Sequence, residues 1–251
     1  MFGLEGRRVV ITGAGGGVGT ALLEVFAGLG AELVACDLPG VEMADVPLRE
    51  THRFDLADHG ATAAAAAAIA AAGAPDVVVS NAGATRAETL AQTDPEAFDR
   101  ELELNLGGAV HFTHALLPAM RQRPRGACFV FVSSVNAVQH FGNPAYSVAK
   151  AGLHAWMRAL ATEEGANGIR ANAVMPGSIR TPAWDARLAR DPDMVERVAR
   201  LYPLGRLVEP REVALAVAFL ASPLAGGITG AVLPVDAGLT ASNLPFLRAI
   251  S

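Results

Sequence analysis

Short apolar runs alternate with longer helix-like stretches along almost the whole chain. Several runs are continuously apolar (VVIT, DVVVSN and CFVFVSS), which is typical of strands covered on both faces of a sheet. This β-α-β-α order predicts an α/β fold with a doubly wound parallel sheet and helices on both faces. The predicted strands are 8–12, 32–37, 52–55, 76–81, 128–134, 170–175 and 232–235. The predicted helices are about 17–29, 57–73, 95–121, 145–165, 182–201 and 210–221.

Composition limits the classes of protein to which this chain can belong. Hydrophobic residues make up 51% and charged residues 18% of its 251 residues, so the chain can bury a large core and is not disordered. No linker or repeat divides it, and we expect one domain. The net charge of −5 gives no support for a nucleic-acid partner, which usually shows as a basic patch.

Other features bear on compartment and metals. No run approaches the roughly 20 strongly apolar residues of a membrane span, and the first residues lack a signal-peptide pattern, so we expect a cytoplasmic location. Cys36 and Cys128 are far apart in strand-like runs, which predicts buried thiols. His111 and His114 lie three positions apart on a predicted helix, where a helix surface or a subunit contact is favoured over a metal. We expect no metal site.

The segment Thr12–Gly19 follows the first predicted strand and opens the first helix. Its glycines at 13, 17 and 19 form a T-G-x-x-x-G-x-G pattern. Glycine permits a tight turn and lets backbone N–H groups approach a pyrophosphate, which the helix N-terminus also favours. The loop lacks the Lys and Ser/Thr of a Walker A motif, so the pattern indicates a dinucleotide. A glycine-rich turn without a ligand is the alternative.

The second predicted strand ends at Asp37. A carboxylate there can accept hydrogen bonds from the adenosine ribose hydroxyls, and it repels a 2′-phosphate. No Arg or Lys lies in the glycine loop or just after Asp37 to offset that repulsion. These features favour NAD over NADP, with a solvated strand-end aspartate as the alternative.

Tyr146 and Lys150 are four residues apart, on one face of a predicted helix. A phenol is a poor base near neutral pH, and a nearby ammonium lowers its pKa. Tyr146 could then take or donate a proton during catalysis. Lys150 is the single lysine among 20 Lys and Arg residues, and its compact charge could also contact ribose hydroxyls. An ordinary amphipathic helix is the alternative.

Taken in order, these motifs resemble the short-chain dehydrogenase/reductase family over essentially the whole chain. The residues that carry the resemblance are Thr12–Gly19, Asp55-Leu56, Ser80-Asn81-Ala82-Gly83, Asn105, Ser134, Tyr146-x-x-x-Lys150 and Pro176-Gly177-x-x-x-Thr181. The resemblance implies a single-domain Rossmann fold with a seven-stranded sheet, divided into a nucleotide-binding half of about 1–125 and a catalytic and substrate half of about 126–251. It also implies an oxidoreductase that interconverts a secondary alcohol and a ketone with NAD.

The resemblance implies four catalytic residues, Asn105, Ser134, Tyr146 and Lys150. Ser134 would bind the substrate oxygen, and Asn105 would kink its helix and hold a water linked to the lysine. Twelve positions separate Ser134 from Tyr146, where the family usually has thirteen, and Ser133 has the usual gap. The Ser-Ser-Val pattern favours Ser134, and side chains alternate along a strand, so only one of the two faces the site.

The cofactor contacts are likewise implied by the resemblance. Asp55 and Leu56 would bracket the adenine, and Gly83 would let the backbone pass close to the ribose. Ile179 and Thr181 would hold the nicotinamide carboxamide. The predicted cofactor residues are Gly13, Gly16, Gly17, Val18, Gly19, Asp37, Asp55, Leu56, Asn81, Ala82, Gly83, Tyr146, Lys150, Pro176, Gly177, Ile179 and Thr181.

The resemblance also makes segment 182–205 a mobile substrate lid with several apolar residues. Asn136, His140 and Trp184 are the predicted substrate contacts. A homotetramer is implied, and we expect the apolar tail after Gly238 to pack against a neighbouring subunit. A 3-oxoacyl thioester reductase stays open as an alternative, as does a nucleotide-sensing protein without catalysis.

Overall fold

A computed structural model describes residues 2–84, 89–124, 126–181, 189, 191–241 and 243–250. Its core is a seven-stranded parallel sheet in the order β3-β2-β1-β4-β5-β6-β7. The strands are β1 (Arg8–Thr12), β2 (Glu32–Asp37), β3 (Glu50–Arg53), β4 (Val77–Ser80), β5 (Ala127–Val132), β6 (Ile169–Pro176) and β7 (Val232–Val235). This confirms the predicted doubly wound fold; β3 is shifted two residues toward the N-terminus.

Eight α-helices are present in the described parts of the chain. They are α1 (Gly17–Gly28), α2 (His59–Ala72), α3 (Pro95–Leu102), α4 (Gly108–Met120), α5 (Pro144–Glu163), α6 (Met194–Ala199), α7 (Pro210–Ala221) and α8 (Leu244–Ile250). Short 3₁₀ turns occur at Leu90–Gln92, Val135–Ala137, Gly165–Asn167 and Pro223–Ala225. Of the helix predicted over 182–201, residues 182–188 and 190 lie outside the described residues. None of the described helices is long and apolar enough to cross a membrane.

The two faces of the sheet are covered by different helices. Successive residues of a strand point to opposite faces. Val9 and Ile11 therefore pack in a core with α1 and α7, whereas Val10 packs on the other face with residues of α2, α4 and α5. Because both faces are buried, the strands are apolar throughout, as the runs in the sequence indicated. Cys36 and Cys128 are buried free thiols, which confirms that prediction, and burial raises the pKa of Cys128 to about 11.

The helix predicted over 95–121 is interrupted. A π-helical turn, Glu103–Gly107, joins α3 to α4 and contains the buried Asn105. A π turn inserts one extra residue into the helical repeat, and such turns are frequent at functional sites. The irregularity expected at Asn105 is therefore present.

The order of the strands fixes where a ligand can bind. The chain reverses direction across the sheet between β1 and β4, which lie side by side although β2 and β3 intervene in sequence. In doubly wound sheets, ligands bind in the crevice at the carboxyl ends of the strands at this point. The glycine loop follows β1 there, and Asn81-Ala82-Gly83 follows β4.

The residues after Gly238 end in α8, which the sequence patterns did not predict. Phe246, Leu247 and Ile250 of this helix are exposed. The backbone carbonyl of Arg200 accepts a hydrogen bond from Arg248 at 2.5 Å, which ties the helix to the end of α6. The packing of this tail against a neighbouring subunit, and the homotetramer, stay predictions.

A buried carboxylate at the start of β4 leads to a first prediction, on stability. Asp76 is buried and accepts hydrogen bonds from the Arg8 backbone N–H and from the Arg7 guanidinium, each at 2.9 Å, and it also pairs with Arg123. Burial alone would raise the pKa of Asp76, but these contacts hold it below its ordinary value. We expect Asp76→Asn to lower the free energy of unfolding at neutral pH by about 3 kcal/mol, because it removes a buried carboxylate and leaves the partly buried Arg7 and Arg123 guanidinium groups without that partner.

The pH dependence has a definite sign. A carboxylate with a lowered pKa stabilises the fold above its ordinary titration range, and this contribution is lost as the pH falls through the folded-state pKa. Urea unfolding of the wild type and Asp76→Asn should therefore differ at neutral pH and converge in acid. Asp191→Asn, which breaks an exposed pair with Arg197, is the control and should unfold like the wild type. Equal stability of Asp76→Asn and wild type at neutral pH would contradict the prediction.

Candidate active site

A large open cavity lies at the carboxyl ends of the strands. Its volume is about 1350 Å³, above the roughly 300–1,000 Å³ of ordinary small-molecule sites. Most of the predicted cofactor residues line it: Gly13, Gly16, Gly17, Val18, Asp37, Asp55, Leu56, Asn81, Ala82, Gly83, Tyr146, Lys150, Gly177, Ile179 and Thr181. Gly19 and Pro176 are not part of this lining, and neither are the predicted catalytic residues Asn105 and Ser134. Most of the sequence motifs thus meet in one space.

The glycine loop needs its glycines for two different reasons. Gly13 has a φ of +64°, and a side chain there would also come within 2.7 Å of the Ala82 backbone. Gly19 has ordinary backbone angles, but a Cβ would lie 2.0 Å from the carbonyl oxygen of Gly13. The first glycine therefore permits the turn, and the last permits the close packing of helix on loop.

The start of α1 is suited to an anion. Its N-cap is Gly16, and no side chain caps the first turn. The first N–H groups of a helix have no partner within the helix and carry partial positive charge, which suits phosphate oxygens. Gly16, Gly17 and Val18 all line the cavity. This uncapped helix end beside a cavity of this size fits the pyrophosphate of a dinucleotide.

The loop after β4 braces the glycine loop. The Thr12 hydroxyl accepts hydrogen bonds from the backbone N–H groups of Asn81 and Ala82, at 3.1 and 3.2 Å. The Asn81 carboxamide donates to the carbonyls of Thr12 and Gly13, at 3.1 and 2.9 Å. Asn81 therefore fixes the ends of β1 and β4 relative to each other. Its side chain positions the loop that is proposed to hold phosphate.

Asp37 ends β2 at the rim of the cavity. One carboxylate oxygen accepts from the Gly15 N–H at 2.8 Å, and the other from the Leu38 N–H at 2.7 Å. The negative charge is thus held in place against the glycine loop. Any ribose that enters between this loop and β2 meets a fixed carboxylate.

Tyr146 and Lys150 lie in the first two turns of α5. The helix begins after Asn143, whose φ of 53° asparagine tolerates, and Pro144 occupies the first turn. The Lys150 Nζ lies 5.5 Å from the centre of the Tyr146 ring and donates to the Val132 carbonyl at 3.1 Å. Both side chains line the cavity. The turn that starts α5 therefore sets the phenol beside the ammonium.

Burial shifts the pKa values of these two groups in opposite directions. Burial raises the pKa of Tyr146 to about 12, although a hydrogen bond with Ser134 opposes this, and the charge of Glu101 raises it further. Burial lowers the pKa of Lys150 to about 8. The net shift of the Tyr146 pKa is therefore upward, opposite in direction to the expected lowering, because the loss of solvation is the largest cause. Burial favours the neutral form of both groups.

The structure distinguishes the two serines at the end of β5. Hydrogen bonding by Ser134 acts to lower the pKa of Tyr146, and the Ser134 hydroxyl also accepts from the Asn136 N–H at 3.2 Å, whereas the Ser133 hydroxyl is buried without a partner among the described residues. Ser133 contributes to the cavity lining, but its side chain makes no contact with the phenol that the structure records. The hydrogen bond to Tyr146 favours Ser134, the serine that the Ser-Ser-Val pattern selected.

Asn105 connects the π turn to the cavity wall. Its amide nitrogen donates to the Ala84 carbonyl at 2.8 Å, and its oxygen accepts from the Ala84 N–H at 3.1 Å. A Cβ on Gly83 would lie 2.7 Å from that oxygen and 3.1 Å from the Lys150 Nζ. Asn105, Gly83 and Lys150 are therefore in close contact. The water that the resemblance implies between asparagine and lysine stays a prediction.

The turn after β6 is held by a residue that was assigned to the lid. The buried Tyr202 accepts a hydrogen bond from the Ser178 N–H at 2.9 Å, and a Cβ on Gly177 would lie 3.0 Å from its ring. Tyr202 thus supports the turn that leads to Ile179 and Thr181. Among the other apolar residues of the proposed lid, Leu201 and Leu204 are exposed, and Leu188 lies outside the described residues.

The predicted substrate residues have different positions. The Asn136 carboxamide donates to the Gly142 carbonyl at 2.7 Å and to the Ser147 hydroxyl at 3.2 Å, so it braces the loop between Ser134 and α5. His140 is exposed in that loop. Trp184 lies outside the described residues. None of the three roles in substrate binding is established by these positions.

Comparison with known proteins decides the family. A family model described as enoyl-(acyl carrier protein) reductase matches residues 13–240. A solved oxidoreductase of the short-chain dehydrogenase/reductase family from Burkholderia thailandensis is 38% identical, with a TM-score of 0.87, over 98% of this chain and 97% of that one. This chain is a short-chain dehydrogenase/reductase. Members of this family generally use NAD or NADP.

Two further relatives of this short-chain dehydrogenase/reductase carry different names. A mouse (3R)-3-hydroxyacyl-CoA dehydrogenase is 35% identical over 94% of this chain and 97% of its own length. A galactitol 2-dehydrogenase (L-tagatose-forming) from Cereibacter sphaeroides is 33% identical over 96% of this chain and 97% of its own length. The relatives therefore agree on oxidoreductase chemistry and differ in substrate.

Sequence reasoning missed two residues of this short-chain dehydrogenase/reductase. Glu101 is buried in the cavity wall, and one of its carboxylate oxygens accepts from the Asn105 amide at 3.1 Å. Its position four residues before Asn105 was the available signal. Arg53 lies opposite Asp37 in the β2–β3 register and donates to the carbonyls of Leu38 and Val41. Only the pairing of the strands brings this arginine near Asp37.

Proposed function

We propose that the protein is an NAD-dependent oxidoreductase that interconverts a secondary alcohol and a ketone. The observation that carries the proposal is the meeting of Tyr146 and Lys150 at one wall of a cavity whose other wall is the uncapped glycine loop. When bound, the nicotinamide supplies the acceptor or donor of hydride. The side chains of this protein provide orientation and the transfer of the proton.

The proton transfer is assigned to the Tyr146 hydroxyl. In ketone reduction the phenol donates its proton to the substrate oxygen, and in alcohol oxidation the phenolate receives it. The Ser134 hydroxyl, whose hydrogen bonding acts on the pKa of Tyr146, would bind the same oxygen. The Lys150 ammonium stabilises the phenolate, and its burial strengthens that interaction because water does not screen it.

A panel of substrates tests the proposal directly. Secondary alcohols, hydroxy acids and polyols should be offered with NAD⁺, and the formation of reduced nicotinamide followed by absorbance. Turnover of at least one class with NAD⁺ supports the proposal. A protein that binds the dinucleotide but turns over no member of the panel would instead fit a nucleotide-sensing role.

Asp37 leads to the prediction on cofactor choice. We expect Asp37→Asn to reduce the preference for NADH over NADPH, measured as the ratio of kcat/KM values, by at least about tenfold, because a fixed negative charge no longer repels the 2′-phosphate. The carboxamide keeps one acceptor for the loop N–H groups. Asp45→Asn, an exposed residue outside the cavity lining with the same change of charge, is the control. An unchanged ratio in Asp37→Asn would contradict the assignment.

A second candidate function is reduction of a 3-oxoacyl thioester. The similarity to a (3R)-3-hydroxyacyl-CoA dehydrogenase and to the enoyl-(acyl carrier protein) reductase model favours it. Such reductases commonly use NADPH, and the Asp37 carboxylate would repel its 2′-phosphate, so Asp37 counts against this candidate. Steady-state rates with an acetoacetyl thioester, with NADH and NADPH in parallel, separate the two. Faster turnover of the thioester with NADPH than of every alcohol with NAD⁺ would replace the first proposal.

A further inference from the structure

Three metal-ligating side chains meet at the edge of the cavity: Glu103 is part of its lining, whereas His59 and His111 are not. The His59 Nε2 lies 2.8 Å from the Glu103 Oε1, and the rings of His59 and His111 meet edge to face with centroids 3.9 Å apart. One nitrogen or oxygen from each of the three residues lies within 4.8 Å of the others. The three come from the start of α2, the π turn and α4. His59 and His111 border a small cavity of about 240 Å³, together with Thr62, Ala63 and His114.

The backbone leaves room for this arrangement. A Cβ on Gly107 would lie 2.5 to 2.7 Å from the carboxylate atoms of Glu103, so the carboxylate lies back over a position that has no side chain. It thereby reaches along the helix axis toward His111, two turns further on. The side chain of Ala63 on α2 is small and leaves space beside the histidines. Glycine at 107 thus permits the approach of Glu103 to the two imidazoles.

The donor set determines which ligand fits. Two imidazole nitrogens and one carboxylate oxygen are the ligands of many zinc sites, and the fourth position is then taken by water. Imidazole donors suit zinc and its neighbours among the transition metals, whereas magnesium and calcium require oxygen. We propose that His59, Glu103 and His111 form a site for a zinc-type divalent cation.

Binding requires only side-chain movement. Ligands with bonds of about 2.0 Å lie roughly 3.3 Å apart around a tetrahedral ion, so the present spacing must contract. His59 and His111 are exposed, and rotation of their side chains brings the nitrogens closer without a change in the backbone. The bound ion links α2 to the π turn that carries Asn105 two residues after Glu103. The site thus couples two segments far apart in sequence.

The test uses the full-length protein after removal of metal with a chelator. Titration with Co²⁺ alone should give the visible absorption of a tetrahedral ion at one equivalent per chain, and calorimetry with Zn²⁺ should give the same ratio. His59→Ala and His111→Ala should each weaken Zn²⁺ binding at least about tenfold. Zn²⁺ should also raise the melting temperature of the wild type but not of either variant.

Two variants serve as controls. His52 forms a similar pair with Glu50 at 3.2 Å but has no third ligand beside it within the described parts of the chain, so His52→Ala should bind Zn²⁺ like the wild type. His114→Ala removes a histidine that borders the same small cavity but is not one of the three ligands, and it should also bind normally. The proposal is overturned if the wild type binds Zn²⁺ no tighter than His59→Ala and His111→Ala. It is equally overturned if either control loses binding as they do.

Discussion

Tyr146→Phe is expected to lower kcat by about 10²–10⁴-fold, the range over which a positioned general acid or base contributes. The change removes one oxygen and keeps the ring in its place beside Lys150. Since no predicted cofactor contact other than the phenol is altered, the Kd for NAD should change little, and calorimetric titration can verify this. Retention of more than about a tenth of the wild-type rate would show that another group moves the proton.

The chain's other tyrosine offers a matched control. Tyr202→Phe also removes a single buried hydroxyl, but one that accepts a hydrogen bond from the Ser178 N–H. That N–H is left without its partner, at a cost of about 1–3 kcal/mol in the free energy of unfolding. We expect Tyr202→Phe to lower stability and raise the KM for the cofactor while kcat stays close to wild type. Tyr146→Phe should therefore lower kcat with little change in cofactor binding, whereas Tyr202→Phe should weaken cofactor binding with little change in kcat. A general loss of structure does not produce this contrast.

Lys150→Arg is expected to reduce turnover at least about tenfold although it conserves the charge, because a larger, planar guanidinium does not fit the buried site of a compact ammonium. The ammonium is buried and donates to the Val132 carbonyl, and a Cβ on Gly83 would lie 3.1 Å from its Nζ, so a planar guanidinium would have to give up this position. The pKa of Lys150 of about 8 means that its charge is present below that pH and lost above it. Ketone reduction by the wild type should therefore decline on the alkaline side of about pH 8.

In Lys150→Arg this alkaline decline should move to higher pH, because arginine stays protonated throughout the range. The kinetic base should likewise titrate at higher pH. Arg158→Lys, the reverse exchange at an exposed position of the same helix, is the control and should leave both the rate and the pH profile unchanged. A Lys150→Arg enzyme with the wild-type rate and profile would mean that any cation at this position is sufficient.

The fold could be predicted because its evidence is local. The apolar runs predict the strands, and the glycine loop predicts the connection from the first strand to the first helix. The order of the elements then restricts the possible topologies. The spacing of Tyr146 and Lys150 likewise follows from helix geometry alone. The choice between Ser133 and Ser134 needed the contact with Tyr146, since a strand pattern says only that the two face opposite sides.

What could not be predicted depends on contacts between distant segments. Arg53 approaches the Asp37 loop through the register of two strands, and Tyr202 supports Ser178 through a hydrogen bond across 24 positions of sequence. The pKa of Tyr146 depends on how fully the cavity wall excludes water, which no spacing encodes. As a possible metal ligand, His111 was paired in the sequence with His114, three positions away. In the structure, the side chains of His59 and Glu103 lie beside it instead.

The chain contains one lysine, so its interior offers a single amine that a reagent could modify. Apart from the chain terminus, an amine-directed reagent has only the Lys150 amine to modify. With a pKa of about 8, an appreciable fraction of that amine is the reactive neutral form at mildly alkaline pH, so access rather than protonation limits its modification. The rate at which a small acylating or methylating reagent labels this chain therefore measures how often the buried Lys150 amine becomes accessible.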